Sequence, residues 1–347
     1  MPRARVHLIP TSAPDDVSGL QRLIDGGALD PSRRVAILGK TEGNGCVNDF
    51  TRAFAVAELQ RFLGPAADKV TMVMSGGTEG GLSPHIVTFE VLEDAGTGPS
   101  MAIGAAISRD LAAHEIGTYA QVECVADVVR ATVWSAEIAS EDDVHFVQIK
   151  CPLLTSDRIA AAERPTSTDD TLKSMGLSRG ASALGIALAL DEIDAATAER
   201  ALVRRDSGVW SSRASTSAGV ELMGHEILVM GMSTAWSGPL MVDHAVMSDA
   251  IDTASVQAAM ERLGIGTGSE LRALFAKAEE STTGQIRGAR HTMLNDSDIS
   301  STRHARAMVG GSLGGLVGRT DLFVSGGAEH QGPDGGRPVA LIAECTD

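Results

Sequence analysis

The sequence predicts an α/β protein made of three homologous units around a pseudo-threefold axis, with one site at the centre. Three observations lead to this prediction. An apolar run of strand length ends in a lysine three times along the chain, a helical segment with an arginine follows each lysine, and another apolar run that ends in a serine follows each arginine. Alternating strands and helices indicate an α/β fold, and a single doubly wound domain does not explain the triplication.

The lysine-ended strand is the first element of each unit. Only five of the 29 Lys and Arg residues are lysines, and three of these end the runs VAILGK, VHFVQIK and RALFAK at Lys40, Lys150 and Lys277. Arginine keeps its proton in proteins, whereas burial can lower the pKa of a lysine toward neutrality. These three lysines are therefore candidate proton acceptors.

A helical segment and a serine-ended strand complete each unit. The candidate arginines are Arg52, Arg179 and Arg303, and the candidate serines are Ser75, Ser233 and Ser325. Turn-forming segments at residues 93–100 and 248–255 separate the units. We predict unit A over residues 1–96, unit B over residues 103–247 and unit C over residues 252–347.

Composition indicates a globular protein and disfavours two classes of partner. Hydrophobic residues make up 43% of the chain, and its net charge is −16 without any cluster of basic residues, which disfavours nucleic-acid and anionic-membrane partners. No segment reads as a signal peptide or a membrane span, so we expect a soluble cytoplasmic protein. The four cysteines form no CxxC pair, and neither a zinc knuckle nor a disulfide framework is indicated.

The recurring residue types suit a particular chemistry. A serine beside a neutral lysine can act as a nucleophile, while three guanidinium groups offer planar forks of donors to carbonyl oxygens. Glycine-rich loops such as SGGTEG and SGGAEHQG can present backbone N–H groups to an oxyanion. The expected ligand is small, flat and nearly threefold, with three polar oxygens. The residues alone leave hydrolysis and passive binding equally open.

Several long strings carry a resemblance to a known family. GKTEGNGCVNDFTR, MSGGTEGGLSPH, VQIKCPLLT, SMGLSRGASALGIAL, RHTMLNDSDISSTRHARA and VSGGAEHQGP resemble the cyanuric acid hydrolase/barbiturase family, over about residues 6–343. The resemblance implies a cyclic amide hydrolase that opens cyanuric acid to carboxybiuret, which loses CO2 to give biuret. In the sister branch, barbituric acid is opened to ureidomalonate. A homotetramer without an organic cofactor is also implied.

The resemblance further implies a role for each candidate residue. Lys150 would be the general base and Ser233 the nucleophile. The substrate would be bound by Lys40, Ser75, Gly76, Arg52, Arg179, Thr234, Lys277, Arg303, Ser325 and Gly326. A structural Mg2+ or Ca2+ would be held by Glu279, Ala328, Gln331, Gly332, Pro333 and Gly336, a set with one carboxylate and several neutral oxygens that suits a hard cation. One feature of the residues themselves also sets unit B apart, because Gly-Gly follows Ser75 and Ser325 whereas Thr-Ala follows Ser233.

Other classes of protein remain as alternatives. A non-catalytic binder of cyclic imides would use the same pocket, but nothing is missing here from the set of lysines and serines. Metal-dependent cyclic amidohydrolases need histidine clusters such as HxH, which the sequence lacks. An α/β-hydrolase needs its nucleophile in a GxSxG elbow, whereas the proposed nucleophile Ser233 lies in GMSTA. Cyanuric and barbituric acid differ at one ring position, and physical reasoning leaves that choice open. The overall similarity of the strings favours the cyanuric acid hydrolase branch.

Overall fold

Three four-stranded sheets form the framework of the molecule. The computed structural model describes residues 1–93, 96, 98–204, 206–266 and 270–345. The strands are β1 (Pro2–Pro10), β2 (Arg34–Thr41), β3 (Thr71–Gly76), β4 (His85–Glu93), β5 (Ser100–Ile107), β6 (Val144–Pro152), β7 (Ala214–Gly219), β8 (Glu226–Ser233), β9 (Leu240–Val246), β10 (Leu271–Ala278), β11 (Gln285–Ile286), β12 (Ala289–Arg290), β13 (Phe323–Gly326) and β14 (Pro338–Glu344). The strands β11 and β12 form a separate short hairpin.

The three sheets have one topology. Their strand orders are β1-β4-β2-β3, β5-β8-β6-β7 and β9-β14-β10-β13, so each places its four strands in the order first, fourth, second, third. The second and third strands are parallel and adjacent, whereas the other neighbours are antiparallel. This threefold repetition confirms the predicted architecture. Because parallel strands end at the same edge of a sheet, residues at the ends of the second and third strands of each unit lie side by side.

The boundary between the second and third units differs from the prediction. Strand β9 falls inside the predicted unit B, but it pairs with β14 of the third sheet, with Val242 opposite Ile342. The predicted end of unit B at residue 247 is therefore wrong by one strand, and the chain passes between the two sheets at residues 234–239. Within the other predicted boundary segment, 93–100, residues 94, 95 and 97 lie outside the described residues.

The helices are interleaved with these strands. They are α1 (Ser18–Asp25), α2 (Phe50–Leu63), α3 (Tyr119–Ser135), α4 (Ser156–Ala160), α5 (Thr171–Ala189), α6 (Ala195–Arg204), α7 (Thr253–Arg262) and α8 (Ser301–Val317). Asp49 caps α2 by accepting from the backbone N–H of Thr51, and Asp170 caps α5 in the same way at Lys173. Among the described helices, none has the length and apolar character needed to cross a membrane.

A small aromatic cluster joins the three sheets in the core. The chain has only seven phenylalanines, and Phe275 packs against Phe89, Phe146 and Phe323 with ring centroids 5.7–6.3 Å apart. Phe89 comes from the first sheet, Phe146 from the second, and the other two from the third. The Lys40 amine lies 5.8 Å from the centre of the Phe323 ring. Apolar side chains therefore border the lysine-bearing strand ends and restrict water there.

Candidate active site

The three sheets bring three serines together at the centre of the molecule. Strand register places Lys40 opposite Ser75, Lys150 opposite Ser217 and Lys277 opposite Ser325. The Ser325 hydroxyl lies 3.3 Å from that of Ser75 and 3.0 Å from that of Ser217. All six side chains are buried. The lysine–serine pairs predicted in units A and C are present, and the third pair is Lys150 with Ser217.

The placement predicted for Ser233 is wrong. Strand β8, which ends at Ser233, runs antiparallel to β6 and places Glu226 opposite Lys150. Ser233 is seven positions further along, roughly 23 Å at the rise of a β-strand. Its hydroxyl donates to the carbonyl of Glu137, and the neighbouring Thr234 is exposed, so neither residue reaches the centre.

The apolar pattern that predicts the other serine-ended strands does not predict the strand of Ser217, because that strand is polar. Strand β7 reads ASTSAG, so a search for apolar runs passes over it and stops at the apolar β8. A short motif would have identified it. The pattern Ser-(Gly/Ala)-Gly-x-Glu occurs as SGGTE at residues 75–79, SAGVE at 217–221 and SGGAE at 325–329. The small residues after the three serines are Gly76, Ala218 and Gly326, and all three line the central cavity.

Three arginines line the same cavity, one from each unit. Arg52 lies on α2, Arg179 on α5 and Arg306 on α8. The structure thus assigns the third position to Arg306, and the predicted choice of Arg303 is wrong. Arg303 belongs to the first turn of α8 and is partly exposed, whereas Arg306 is only 3% exposed. A small residue follows each cavity arginine, and two of these, Gly180 and Ala307, lie against the loop after the serine of the neighbouring unit.

Each arginine reaches into the serine motif of another unit. The Arg306 guanidinium donates to both oxygens of Glu79 at 2.5 and 2.8 Å, and Arg179 donates to both oxygens of Glu329 at 2.7 and 2.8 Å. Arg52 instead donates to the backbone carbonyl of Ala218, 3.2 Å away. Such bidentate pairs hold the planar guanidinium groups in a fixed orientation. The cavity therefore combines fixed cationic donors with hydroxyl groups in a cyclic arrangement.

Burial makes proton acceptors of the lysines. It lowers the pKa of Lys277 to about 7, with a further contribution from the charge of Arg179. Burial and Arg306 hold the pKa of Lys40 well below its usual range. Burial also lowers the pKa of Lys150, although the neighbouring Glu221 carboxylate opposes the shift. A lysine that is neutral near physiological pH can accept the proton of an attacking hydroxyl.

The contacts of Lys40 and Lys277 are related by the threefold symmetry of the units, whereas Lys150 has an additional contact with a carboxylate. The amines of Lys40 and Lys277 each lie 3.3 Å from the hydroxyl of their own serine. Lys277 also donates to the carbonyl of Thr216, the residue before Ser217, at 2.9 Å. Lys150 donates to the carbonyl of Met74, which precedes Ser75, at 2.7 Å, and its amine forms an ion pair with Glu221 at 2.8 Å. Lys150 thus has a carboxylate in contact with its amine.

Five of the six predicted metal ligands lie in the loop that follows Ser325, at residues 328–336, and the sixth, Glu279, contacts this loop. The carbonyl oxygens of Pro333 and Gly336 converge on one point, where they accept from Nη1 of Arg337. Glu279 accepts from the Thr302 hydroxyl and the Ala328 N–H at 3.0 and 3.1 Å.

Two further features bear on the fit of a cation. Glu280 is adjacent to Glu279, and its buried Oε2 has no hydrogen-bond partner in the described part of the chain. The side chain of Gln331 is occupied by hydrogen bonds to the backbone of Thr216, Gly327 and Glu329. Two neighbouring carboxylates and convergent carbonyl oxygens suit a hard cation. In this structure the two carbonyl oxygens accept hydrogen bonds from the Arg337 guanidinium.

Comparisons with known proteins agree with this architecture. Residues 5–344 match the family described as amidohydrolase ring-opening protein. A cyanuric acid amidohydrolase from Azorhizobium caulinodans is 57% identical, with 100% of this chain and 99% of the relative covered. The crystal structure of a cyanuric acid hydrolase from A. caulinodans superposes with a TM-score of 0.96 at 57% identity, with both chains fully covered. Another cyanuric acid hydrolase structure, described as an innovation by structural concatenation, gives a TM-score of 0.94 at 47% identity and covers 99% of this chain and all of its own.

Proposed function

This chain belongs to the family of ring-opening amidohydrolases and is a cyclic amide hydrolase, and we propose that its substrate is cyanuric acid. The observation that carries the proposal is the cyclic set of three serines and three arginines around one cavity. Cyanuric acid has three equivalent carbonyl groups and three ring N–H groups at threefold positions. Arg52, Arg179 and Arg306 would each donate to one carbonyl oxygen. In Arg179 and Arg306 the donor would be Nη1, because the motif glutamates hold Nε and Nη2.

We propose that Ser217 attacks one ring carbonyl. A bond forms between Oγ and the carbonyl carbon while the hydroxyl proton passes to neutral Lys150. The oxyanion is stabilised by the nearest guanidinium and by backbone N–H groups of the serine motifs. Collapse of this intermediate breaks the ring C–N bond, and the Lys150 proton moves to the released nitrogen. Water then hydrolyses the ester on Ser217 to give carboxybiuret, whose carbamate loses CO2 to leave biuret.

The other two lysine–serine pairs bind substrate in this proposal. Lys40 with Ser75, and Lys277 with Ser325, would hydrogen-bond the ring at the two positions that do not react. A Mg2+ or Ca2+ ion, held by Glu279 and the carbonyls of the 328–336 loop, would neutralise the paired carboxylates and fix the loop behind Ser325. That role is structural and requires Arg337 to release the carbonyls.

Turnover of purified protein with cyanuric acid and with barbituric acid tests the proposal. Loss of the substrate, release of CO2 and appearance of biuret should occur with cyanuric acid and be much slower with barbituric acid. Faster opening of barbituric acid to ureidomalonate would assign the chain to the other branch. Tight binding of cyanuric acid without any biuret would contradict the hydrolase proposal and indicate a binding protein.

A further inference from the structure

The three glutamates of the serine motifs do not share one arrangement. In units A and C, the motif glutamate pairs with an arginine of another unit, as Glu79 does with Arg306 and Glu329 with Arg179. Threefold symmetry predicts the corresponding pair between Glu221 and Arg52. The structure shows a different contact, because Glu221 lies on Lys150.

Arg52 remains short of the acceptor that its counterparts have. It donates to the carbonyls of Cys46 and Ala218 at 2.6 and 3.2 Å. Its Nε has no hydrogen-bond partner among the described residues and lies 3.9 Å from a carboxylate oxygen of Asp49, which is an ion-pair distance but too long for a hydrogen bond. Glu221, for its part, touches Lys150 only as an ion pair, since neither of its oxygens accepts a hydrogen bond of regular angle in the described structure. A donor and a carboxylate that symmetry predicts to be partners are thus both incompletely bonded.

The glycine in the middle of the motif also has a different neighbour in unit B than in units A and C. Gly77 and Gly327 have φ of +107° and +72°, and an added Cβ would lie 2.5 Å from the guanidinium of Arg306 or Arg179. Gly219 lies outside this left-handed region, and its Cβ would instead overlap the carboxylate of Glu221. The carboxylate therefore occupies the side of the glycine that a guanidinium occupies in the other units. Glycine adopts both backbone conformations at little cost, so this segment can convert to the arrangement of its counterparts.

We propose that Glu221 is a positioning residue that pairs with Lys150 before substrate binds and with Arg52 during turnover, which frees Lys150 to act as the base. This inference rests on the proposed function for the role of Lys150. It also gives a reason why the pair of Lys150 and Ser217 would be the reactive one. Among the three motifs, only the glutamate of unit B contacts the lysine of its own unit. Lys150 can therefore be held in its charged form by Glu221 and become neutral when Glu221 moves away.

The charges around Lys150 give the expected direction. Glu221 faces it from the loop after β7, Glu226 from β8, Arg52 from α2, and the Cys151 thiol follows it on β6. Burial is the main cause that lowers the pKa of Lys150, Glu221 is the principal group that raises it, and Arg52 lowers it further. Glu226 accepts the Met72 N–H at 2.6 Å, and burial raises the pKa of Glu226 to about 7. Moving Glu221 onto Arg52 therefore lowers the pKa of Lys150.

Titration of the lysines by NMR tests this inference without substrate. The chain has five lysines, so 13C labelling at Cε gives few signals, and a Lys150→Arg variant assigns the relevant one. Glu221→Gln is isosteric and should lower the pKa of Lys150 by at least one unit. Gly219→Ala, whose Cβ displaces the carboxylate, should lower it as well. Glu79→Gln and Glu329→Gln are matched controls that should leave it unchanged. An unchanged or raised pKa of Lys150 in Glu221→Gln would overturn the inference.

Kinetics separate this inference from the proposed function. In Glu221→Gln, the acidic limb of the kcat/KM profile for cyanuric acid should move to lower pH by the same amount, whereas Glu79→Gln and Glu329→Gln should raise KM without moving that limb. A wild-type enzyme that fails to open cyanuric acid would contradict the proposed function, and the lysine titration would still decide the role of Glu221. An active wild type with identical pH profiles in Glu221→Gln would overturn the positioning role.

Discussion

Ser217 and Ser233 lie at opposite ends of the second sheet, and only Ser217 meets the other two serines. We expect Ser217→Ala to reduce kcat for cyanuric acid by at least about a thousandfold, because the strand register places the Ser217 hydroxyl on one side of Lys150 and Glu226 on the other. Ser233→Ala is the matched control and should keep kcat within about threefold, since it removes only two hydrogen bonds to backbone groups, those of Glu137 and Ala235. Steady-state rates at saturating substrate measure both. A dead Ser233→Ala beside an active Ser217→Ala would reverse the assignment.

Arg303 and Arg306 allow a similar comparison on one helix. Only Arg306 lines the cavity, where its fork is held by Glu79. Arg306→Lys keeps the charge but loses the planar fork, and we expect kcat/KM to fall by about 10- to 150-fold, the equivalent of a charged hydrogen bond worth roughly 1.5–3 kcal/mol. Arg303→Lys should change kcat/KM less than about threefold. Equal losses in the two variants would contradict the assignment of Arg306.

At the scale of single elements, the sequence predicts some strands and misses others for physical reasons. The strands β2 and β10 are predictable because their apolar runs end abruptly at Lys40 and Lys277. Strand β7 is not, since it is buried yet built from Ser, Thr, Ala and Gly, and its polar groups are satisfied only by long-range partners such as Gln148 and Gln331. On α8, both Arg303 and Arg306 fit a helical pattern. Only the docking of the helix decides which of them faces the centre.

Strand β8 carries a buried carboxyl group with a consequence for stability. Burial raises the pKa of Glu226 from 4.5 to about 7. A group whose pKa is raised on folding stabilises the folded state fully below the unfolded value, and that stability is lost as pH rises through the folded value. The loss falls between about pH 4.5 and 7 and amounts to roughly 3 kcal/mol.

Glu226→Gln should therefore raise Tm at pH 8 and change it little at pH 4, because the amide stays neutral at both. Thermal unfolding at the two pH values measures this difference. Glu163→Gln, at an exposed position, is the control and should shift neither Tm. If Glu226→Gln lowered Tm equally at both pH values, the carboxyl group would be needed for packing, and its ionisation would not be what destabilises the protein at high pH.

At the scale of the whole molecule, the repeat is what makes the site predictable. Three sheets of one topology direct equivalent strand ends to one point, so lysines found separately along the chain meet there. The departures from symmetry are harder to read from sequence. Glu221 belongs to the same motif as Glu79 and Glu329, and only the folded structure shows that it contacts a lysine and not an arginine.

The loop behind Ser325 is the proposed binding site of a cation. Glu279 and Glu280 are neighbouring buried or half-buried carboxyl groups, and the carbonyls of Pro333 and Gly336 are directed at the Arg337 guanidinium. A cation that binds only the folded protein stabilises it by about 2.7 kcal/mol at a hundredfold excess over Kd. Adding Mg2+ or Ca2+ should therefore raise Tm by several degrees, and EDTA should reverse the rise.

Glu279→Gln should abolish the response of Tm to the cation, while Glu163→Gln should retain it. Because the proposed ion fixes a loop and does not touch the reacting carbon, chelation should lower Tm more than the rate measured immediately afterwards. Immediate loss of turnover at an unchanged Tm would contradict this structural role. In that case a metal-bound water would be the nucleophile, and Ser217→Ala would keep its activity.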